Sequence, residues 1–451
     1  MTTQHIDTYL ESHLDESIAE LSRLAAQPSV GAQNWGMEEC AALVAEMLRK
    51  RGFNVEVMAT GGAPVVFGER TGKSNETILF YNHYDVQPPD PLELWETPPF
   101  EPTLRDGKLF ARGVSDDKGH IVSRLFALDA LLAEYGELPC NIKFIIEGEE
   151  ETSSAHLHEF IRQNKERLAA DACIWEFGGV DHREIPMQYL GLRGICYVEL
   201  SVETANSDVH SGVGGSIFPN AAWRLVWALN TLKGPDERIH IPGFYDRVQP
   251  PDEHDRHLMA ALPDLAEEYK SRYGLKTFVR GLQGGTALNL AGVFEPTCTI
   301  CGLTAGYQGE GSKTVQPARA SAKVDFRLVP DQRPDEVLQL LRAHLDAHGF
   351  ADVHITYLGG ENPGRTNPDD PFVQLVVETA RDVYGMPMQI VPMTGGSGPI
   401  YPFIHDLGLP VATAGLDYPG TLAHAPNENI RLDLYLKHAK HIARIVSQFA
   451  T

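Results

Sequence analysis

Apolar positions in the first 190 residues alternate between helical spacing and short strand-like runs. The helical spacing predicts helices over 6–27 and 37–51, and a strand over 53–58 follows the second helix. Further strands, each ending close to a histidine or an acid, are predicted over 77–81, 141–146 and 172–175. Strands that alternate with helices indicate an α/β fold with a mixed, mainly parallel sheet between helices.

The pattern changes near residue 190. Strands are predicted over 193–202, 320–329 and 353–357, and helices over 220–232 and 335–348. This order is typical of a small α+β domain of the ferredoxin-like kind.

Two domains are expected, because a chain of 451 residues is too long for one ordinary core. A segment rich in glycine, proline and asparagine, 359–370, is predicted to be the linker that returns to the first domain. The first domain is therefore predicted to cover 1–189 and 363–451, with the α+β domain inserted over 190–362.

The composition restricts the classes of partner that the protein is expected to bind. The net charge is −23, from 38 basic and 61 acidic residues, which argues against a nucleic-acid partner and is compatible with metal binding. No apolar run is long enough to span a bilayer, and the polar, acidic first 21 residues do not resemble a signal peptide. The sequence thus predicts a cytoplasmic protein without a membrane partner.

Histidines and acids occur in five segments that together could hold two metal ions. Hydrolysis of an amide needs an activated water and a polarised carbonyl, which two zinc-like ions about 3.5–4 Å apart can provide. Such a site uses imidazole and carboxylate ligands and leaves one acid free as a base. The candidates are His83 with Asp85, Asp116, Glu150 with Glu151, Glu176, and His424.

Each candidate alone has an ordinary structural interpretation. A single histidine after a strand is more often structural than a ligand, and a run of acids is more often a solvated loop. Asp85 follows His83 by two residues, and i and i+2 side chains of a strand share a face, so Asp85 could orient the ring of His83. Only the combination supplies the ligand set of a two-metal site.

The order of these segments resembles a known family. The matching segments are His83-x-Asp85-x-Gln87-Pro88, Asp116-Asp117-Lys118-Gly119, Glu150-Glu151 and His424-x-Pro426-Asn427-Glu428. They resemble the co-catalytic zinc metallopeptidases, which include aminoacylases, glutamate carboxypeptidases and carnosine-type dipeptidases. The segments Val86-Gln87-Pro88 and Gly191-Leu192-Arg193-Gly194 resemble the cytosolic dipeptidase branch in particular.

The resemblance implies a role for each metal-site residue. Asp116 would bridge two divalent ions, expected to be zinc, with manganese or cobalt as alternatives. His83 and Glu176 would complete the shell of one ion. Glu151 and His424 would complete the shell of the other. Glu150 would be the general base that takes a proton from the bridging water.

The resemblance also implies substrate contacts and a homodimer. His210 would bind the scissile carbonyl at the active site of the partner subunit, across a dimer formed by the inserted lid and dimerisation domain. Thr314, Arg327 and Ser397 would hold the carboxylate of the substrate, for which the planar guanidinium of arginine is well suited. On the sequence alone, Arg327 could equally be a surface residue paired with Asp325.

The predicted function is metal-dependent hydrolysis of the amide bond of dipeptides or small peptides. An N-acyl or N-carbamoyl amino acid amidohydrolase uses the same metals and the same carboxylate contacts, so the sequence leaves this alternative open. A non-catalytic binding protein on the same fold is a second alternative, from another class. A calcium site is disfavoured, because His83 and His424 are not the oxygen ligands that calcium prefers.

Overall fold

The computed structural model describes residues 2–450, which form two compact units. The first unit comprises the described chain up to Leu190, Arg365–Pro392 and the described chain from Pro399 onwards. The second unit comprises Gly191–Gly364 and Met393–Gly398. The short segment Met393–Gly398 therefore belongs to the second unit, although the chain on either side of it belongs to the first.

The first unit is built from helices and from strands in a central sheet and two small sheets. Its helices are α1 (Thr2–Ser12), α2 (Leu14–Ala26), α3 (Met37–Lys50), α4 (Lys118–Tyr135), α5 (Leu157–Gln163), α12 (Pro371–Thr379), α13 (Arg381–Tyr384) and α14 (Leu432–Phe449). Its strands are β1 (Asn54–Met58), β2 (Val65–Arg70), β3 (Thr77–His83), β4 (Thr103–Arg105), β5 (Lys108–Phe110), β6 (Asn141–Glu147), β7 (Ala172–Trp175), β8 (Gly179–Val180), β9 (Pro186–Tyr189), β18 (Gln389–Val391), β19 (Val411–Thr413) and β20 (Asn429–Arg431).

The central sheet has the strand order β1-β2-β6-β3-β7-β19. Strands β6, β3, β7 and β19 run parallel to one another, whereas β2 pairs antiparallel with both β1 and β6. Nearly every residue of β3 and β7 is buried, as expected for strands covered by helices on both faces. The parallel arrangement brings the carboxyl ends of β6, β3 and β7 to one edge of the sheet.

Helix α4 packs in the middle of the first unit. It contacts α1, α2 and α14, and all of its residues from Lys118 to Leu128 are buried. It is therefore buried on almost every face, unlike the amphipathic α14, whose buried side includes Ile442 and Val446. A polar side chain on α4 is consequently forced to find partners inside the protein.

The second unit contains a separate set of elements. Its helices are α6 (Ser211–Gly214), α7 (Ala221–Leu232), α8 (Glu253–Ala261), α9 (Ala266–Tyr273), α10 (Gly285–Phe294) and α11 (Pro334–Ala347). Its strands are β10 (Gly191–Leu192), β11 (Gly194–Glu203), β12 (Val209–His210), β13 (Thr299–Ala305), β14 (Val315–Gln316), β15 (Arg319–Leu328) and β16 (His354–Glu361), and β17 (Gly364–Arg365) lies at the end of the insertion.

The main sheet of the second unit is antiparallel, with the order β13-β15-β11-β16. Helix α7 lies in the chain between β11 and β13, and α11 lies between β15 and β16, which is the ferredoxin-like topology. Alternate residues of β11 and β15 are buried, and they form a core with α7 and α11. The predicted α/β class, the mainly parallel central sheet and the ferredoxin-like insertion are all confirmed.

Several individual elements differ from the prediction. The helix predicted over 6–27 is divided at His13, where the backbone leaves helical geometry (φ −112°, ψ 15°). Strand β13 was not predicted, because its residues are mostly exposed and show no alternation of buried and exposed positions. The helices between Glu253 and Phe294 were also missed, because they are short and bury few side chains.

Two further properties concern the lengths of the helices and the cysteines. Among residues 2–450, every helix is too short or too polar to cross a bilayer. All six cysteines are free, and Cys301 is the exposed one.

Candidate metal centre

The carboxyl edge of the central sheet carries the first candidate ligands. Strand β3 ends at His83, which lies opposite Glu147 at the end of the parallel strand β6. Beyond β6 the chain forms a short 3₁₀ turn, Glu150–Thr152, and beyond β7 it continues to Glu176. Three neighbouring strands therefore deliver an imidazole and several carboxylates to one place, as the sequence suggested for parallel strands.

Asp116 lies between two imidazoles. It precedes α4, and the peptide bond between Asp116 and Asp117 is cis. Its Oδ1 atom is 2.9 Å from Nε2 of His83, and its Oδ2 atom is 2.9 Å from Nε2 of His424. Each oxygen of one carboxylate thus faces a different histidine, which is the arrangement that a bridging ligand requires.

One further carboxylate stands beside each histidine. Oε2 of Glu176 is 4.0 Å from Nε2 of His83, and Oε2 of Glu151 is 3.1 Å from Nε2 of His424. His83, Asp117 and Glu176 form one group of possible ligands, and Asp116, Glu151 and His424 form the other. The 2.9 Å contact between Asp116 and His83 connects the two groups.

The donor atoms fit a pair of divalent cations. Ligands about 2.1 Å from a tetrahedral zinc ion lie about 3.4 Å from each other, close to the 2.9–4.0 Å separations found here. The buried Oε2 atom of Glu176 has no hydrogen-bond partner among the described residues. A buried carboxylate oxygen without a donor is costly, and a cation in this position would satisfy it.

Asp117 is close to the same histidine but is already fully engaged. Its Oδ2 atom accepts hydrogen bonds from the side-chain amide of Asn82 at 2.6 Å and from the backbone N–H of His83 at 3.2 Å. Its Oδ1 atom is 2.8 Å from Nδ1 of His120. Asp117 therefore holds Asn82, His83 and His120 in place, whereas both oxygens of Asp116 face the imidazoles of His83 and His424.

Asp85 connects three residues of the site. Nδ1 of His83 is 3.0 Å from the backbone carbonyl of Asp85 and 3.3 Å from its carboxylate. A carbonyl can only accept, so Nδ1 carries the proton and the lone pair of Nε2 faces Asp116 when the ring is neutral. The same Asp85 carboxylate accepts the backbone N–H groups of Glu150 and Glu151 at 3.3 and 2.9 Å.

The ionisation of the site reflects an excess of negative charge. Burial raises the pKa of Glu150 to about 8, and burial together with the charge of Glu150 raises the pKa of Glu176. Hydrogen bonds with Asp116 and Glu151 raise the pKa of His424 to about 10. Burial alone would raise the pKa of Asp116, but the two imidazoles outweigh it and lower that pKa. Divalent cations would supply the positive charge that these groups lack.

Arg124 is a buried residue of the site that sequence reasoning missed. It lies on α4, and its guanidinium donates to the carbonyls of Tyr81 at 2.8 Å, Glu176 at 3.2 Å and Trp175. It also donates to the side chain of Asn82 at 2.7 Å. Arg124 therefore ties the ends of β3 and β7 together. The sequence feature that could have revealed Arg124 is its position in the middle of a largely apolar helix.

Glu428 holds the loop that carries Asp116. Its carboxylate accepts the backbone N–H groups of Gly113, Ser115 and Asp116 at 2.9, 2.9 and 3.1 Å. It also pairs with the buried guanidinium of Arg112 at 2.6 Å. The sequence motif included Glu428, but its role could not be deduced, because its partners lie more than 300 residues earlier in the chain.

The four predicted substrate residues belong to the second unit. His210 pairs with the strand that follows Thr314, and Oγ1 of Thr314 is 3.5 Å from Nε2 of His210. Nη1 of Arg327 donates to Oγ of Ser397 at 2.8 Å, and Nε of Arg327 donates to Asp325 at 3.3 Å. The structure thus brings these residues together as two pairs, and Ser397 lies in the second unit rather than in the catalytic domain where it was predicted.

The arrangement in the first unit defines a class of protein. Two imidazoles and four carboxylates, those of Asp116, Asp117, Glu151 and Glu176, form two neighbouring groups that suit a cation each, and Glu150 is an additional acid of raised pKa that interacts with His83 and Asp116. These are the elements that activated-water chemistry requires. The class is that of a metal-dependent hydrolase.

Comparison with known proteins identifies the family. The model of peptidase family M20/M25/M40 matches residues 79–448. The Beta-Ala-His dipeptidase of Mus musculus is 29% identical over 403 residues, covering 84% of this chain and 81% of that protein. The Cys-Gly metallodipeptidase dug1 of Schizosaccharomyces pombe is 28% identical over 480 residues, covering 100% and 99%. The chain belongs to peptidase family M20/M25/M40.

A solved structure supports the same assignment. The M20 family metallo-carboxypeptidase Sso-CP2 from Sulfolobus solfataricus is 36% identical, with a TM-score of 0.92. The match covers 96% of this chain and 99% of that chain. The family likeness therefore extends over both units.

The support given by Glu428 is testable. Glu428→Gln removes the charge that faces Arg112 and three backbone N–H groups, so we expect metal affinity to fall about 10–100-fold, as for other residues behind metal ligands. Leaving a buried guanidinium unpaired should also lower the Tm of the metal-free protein by several degrees. Calorimetric metal titration and thermal unfolding measure the two effects.

The matched control is Glu184→Gln, which removes a carboxylate from an exposed ion pair with Arg431. A surface pair contributes less than about 1 kcal/mol, so metal affinity and Tm should remain close to those of the wild type. Wild-type metal affinity in the Glu428→Gln variant would show that the loop does not depend on this carboxylate.

Proposed function

We propose that the protein is a dipeptidase that hydrolyses the amide bond of dipeptides or small peptides with the help of two divalent cations. The observation that carries the proposal is Asp116, whose two oxygens each lie 2.9 Å from a different histidine, with Glu150 as a free acid next to them. His83 and Glu176 would hold one cation with Asp116. Glu151 and His424 would hold the other.

Zinc is the cation that we propose, with manganese or cobalt as alternatives. Imidazole nitrogens combined with carboxylates are the ligand set that zinc favours in hydrolases. Bound cations of this kind lower the pKa of a shared water and stabilise the negative charge that develops on a scissile carbonyl.

Glu150 is proposed as the general base. It is half-buried, and its backbone N–H is anchored to Asp85 at 3.3 Å, so the side chain begins from a fixed position. Its carboxylate would accept a proton from the attacking water and pass it to the leaving amine nitrogen. This chain has Glu150 together with all five proposed metal ligands, which favours a catalytic role over a role in binding alone.

The second unit is proposed to be a lid and dimerisation domain. His210 would bind the scissile carbonyl at the site of the partner subunit, and Thr314, Arg327 and Ser397 would hold the substrate carboxylate. Large apolar side chains support an interface on this unit: Trp223 and Trp227 stack on the exposed face of α7, and Ile300 and Leu303 are exposed on the edge strand β13.

Relatives favour short peptides over N-acyl amino acids as substrates. Two of them are named for the dipeptides β-Ala-His and Cys-Gly. The similarity to a metallo-carboxypeptidase favours a second candidate, removal of the last residue from longer peptides. Both activities need a free carboxylate on the substrate, and they differ in whether a free amine is required next to the cleaved bond.

A cytoplasmic location is also proposed. All six cysteines are free, and five of them are buried, which is typical of a protein from a reducing compartment.

Glu150→Gln is expected to bind two metal ions and to lose about 10²–10⁴-fold in kcat, because the amide cannot accept the proton from water. Metal content by elemental analysis and steady-state kinetics measure both properties. Glu149→Gln is the matched control, since it removes the same charge from the neighbouring residue, which pairs with His156 instead. An active Glu150→Gln enzyme would exclude Glu150 as the base.

A substrate panel separates the candidate activities. We expect kcat/KM for Cys-Gly or β-Ala-His to exceed by at least about tenfold that for the N-acetylated dipeptide and for the tripeptide extended at its N-terminus. Equal cleavage of all three would indicate a carboxypeptidase. Preference for N-acetyl amino acids would indicate the acylase alternative. The assays use the same enzyme with added zinc, manganese or cobalt.

His210→Ala is expected to lower kcat by about 10²-fold without loss of metal, because a donor to the developing oxyanion is lost. Its action across the dimer is tested by mixing it with the Glu150→Gln variant. A mixed dimer then contains one site with both native residues, so an equal mixture should recover about one quarter of wild-type activity. No recovery after subunit exchange would mean that His210 serves its own subunit.

A further inference from the structure

We propose that Arg193 is a positioning residue of the substrate-carboxylate site, which fixes the glycine-rich segment carrying Ser397 and contributes a second positive charge beside Arg327. The proposal rests on the proposed function, because it concerns the group that would hold the carboxylate of a dipeptide. Arg193 lies between β10 and β11 of the second unit.

Arg193 holds the segment Met393–Gly398 through two kinds of hydrogen bond. Its side chain donates to the carbonyl of Gly395 from both Nε and Nη2 at 3.4 Å, and its backbone N–H donates to the carbonyl of Gly396 at 2.9 Å. The third arm of the guanidinium, Nη1, reaches the carbonyl of Glu295 at 3.1 Å. The segment is thereby fixed to α10 and to the start of β11.

This attachment determines where Ser397 lies. Ser397 directly follows the two glycines that Arg193 holds, and its Oγ atom accepts the hydrogen bond from Nη1 of Arg327 at 2.8 Å. Glycines give a segment many conformations, so an external constraint is needed to keep one of them. Arg193 provides that constraint, and a lysine could not, because one ammonium group cannot reach carbonyls on two separate segments in the same way.

The charges around Arg193 suit one carboxylate. Its side-chain partners are neutral carbonyls, and within residues 2–450 it forms no ion pair with an acid. Arg193 is only 9% exposed, so its charge is poorly hydrated. Burial lowers its pKa, and the neighbouring charge of Arg327 lowers it further, whereas Asp325 acts in the opposite sense.

Of the two guanidiniums, that of Arg327 has an ion-pair partner, whereas that of Arg193 has none among residues 2–450. The carboxylate of Asp325 lies 3.3 Å from Nε of Arg327, which leaves one positive charge without a partner. The carboxylate of a peptide carries one negative charge and is the complement of this arrangement. A C-terminal amide has the same shape but lacks the charge, so the site should discriminate between the two.

The experiment compares Cys-Gly with its C-terminal amide. In Arg193→Met we expect KM for Cys-Gly to rise at least about tenfold with little change in kcat, because ground-state and transition-state binding of the carboxylate are lost together. The kcat/KM for the amide should stay within about twofold of the wild type. Arg193→Lys should fall between the wild type and Arg193→Met.

Arg342→Met is the matched control for a merely structural effect. Arg342 also bridges two backbone carbonyls of the second unit, those of Phe350 and Val353. Its substitution should lower Tm in a similar way but leave the preference for the acid over the amide unchanged. Metal content is measured for every variant.

The outcomes separate this proposal from the proposed function. A wild-type enzyme that cleaves neither Cys-Gly nor any other dipeptide overturns both. A wild-type enzyme that cleaves Cys-Gly, combined with an unchanged preference for acid over amide in Arg193→Met and Arg193→Lys, overturns the role of Arg193 alone. Equal loss of activity on both substrates would reduce Arg193 to a structural residue.

Discussion

The concentration of carboxylates at the carboxyl edge of the central sheet is the constraint on which the first unit depends. A carboxylate removed from water needs hydrogen-bond donors or cations. The supporting acids obtain donors from the protein: Asp85 from two backbone N–H groups, Asp117 from Asn82 and His83, and Glu428 from three N–H groups and Arg112. The sheet edge is organised around supplying these donors.

The acids that face the candidate metal centre have fewer backbone hydrogen-bond donors. Asp116 faces the two imidazoles, and Oε2 of Glu176 has no donor among the described residues. Glu151 is intermediate, since the side chain of Gln87 donates to it at 2.8 Å. The fold therefore supplies the acids behind the site with donors and leaves Oε2 of Glu176 without one among the described residues, so the proposed ligands differ from the supporting acids in their hydrogen bonds.

The sequence predicted those site residues whose position depends on neighbouring residues in the chain. His83 and Glu176 could be placed because a strand pattern ends immediately before each of them, and parallel strands bring such ends together. Arg124 and Glu428 could not be placed in the same way, because their partners lie 42 to 316 residues away and only the packed structure brings them near. The segment of Ser397 shows the same limit, since its hydrogen bonds with Gly191, Arg193 and Arg327 join residues about 70 to 200 positions apart in the chain.

Buried arginines bonded to backbone carbonyls recur in both units, with different consequences. Arg124 fixes two strand ends beside an excess of acids, so its charge is balanced by its surroundings and lowers the repulsion among them. Arg193 bonds to a glycine-rich segment near Arg327, and Asp325 pairs with Arg327 only, so the charge of Arg193 adds to a positive excess. The same pattern of hydrogen bonds therefore occurs in opposite electrostatic surroundings: in the first unit it lies among an excess of carboxylates, and in the second it lies near another guanidinium, where we propose that the substrate carboxylate binds.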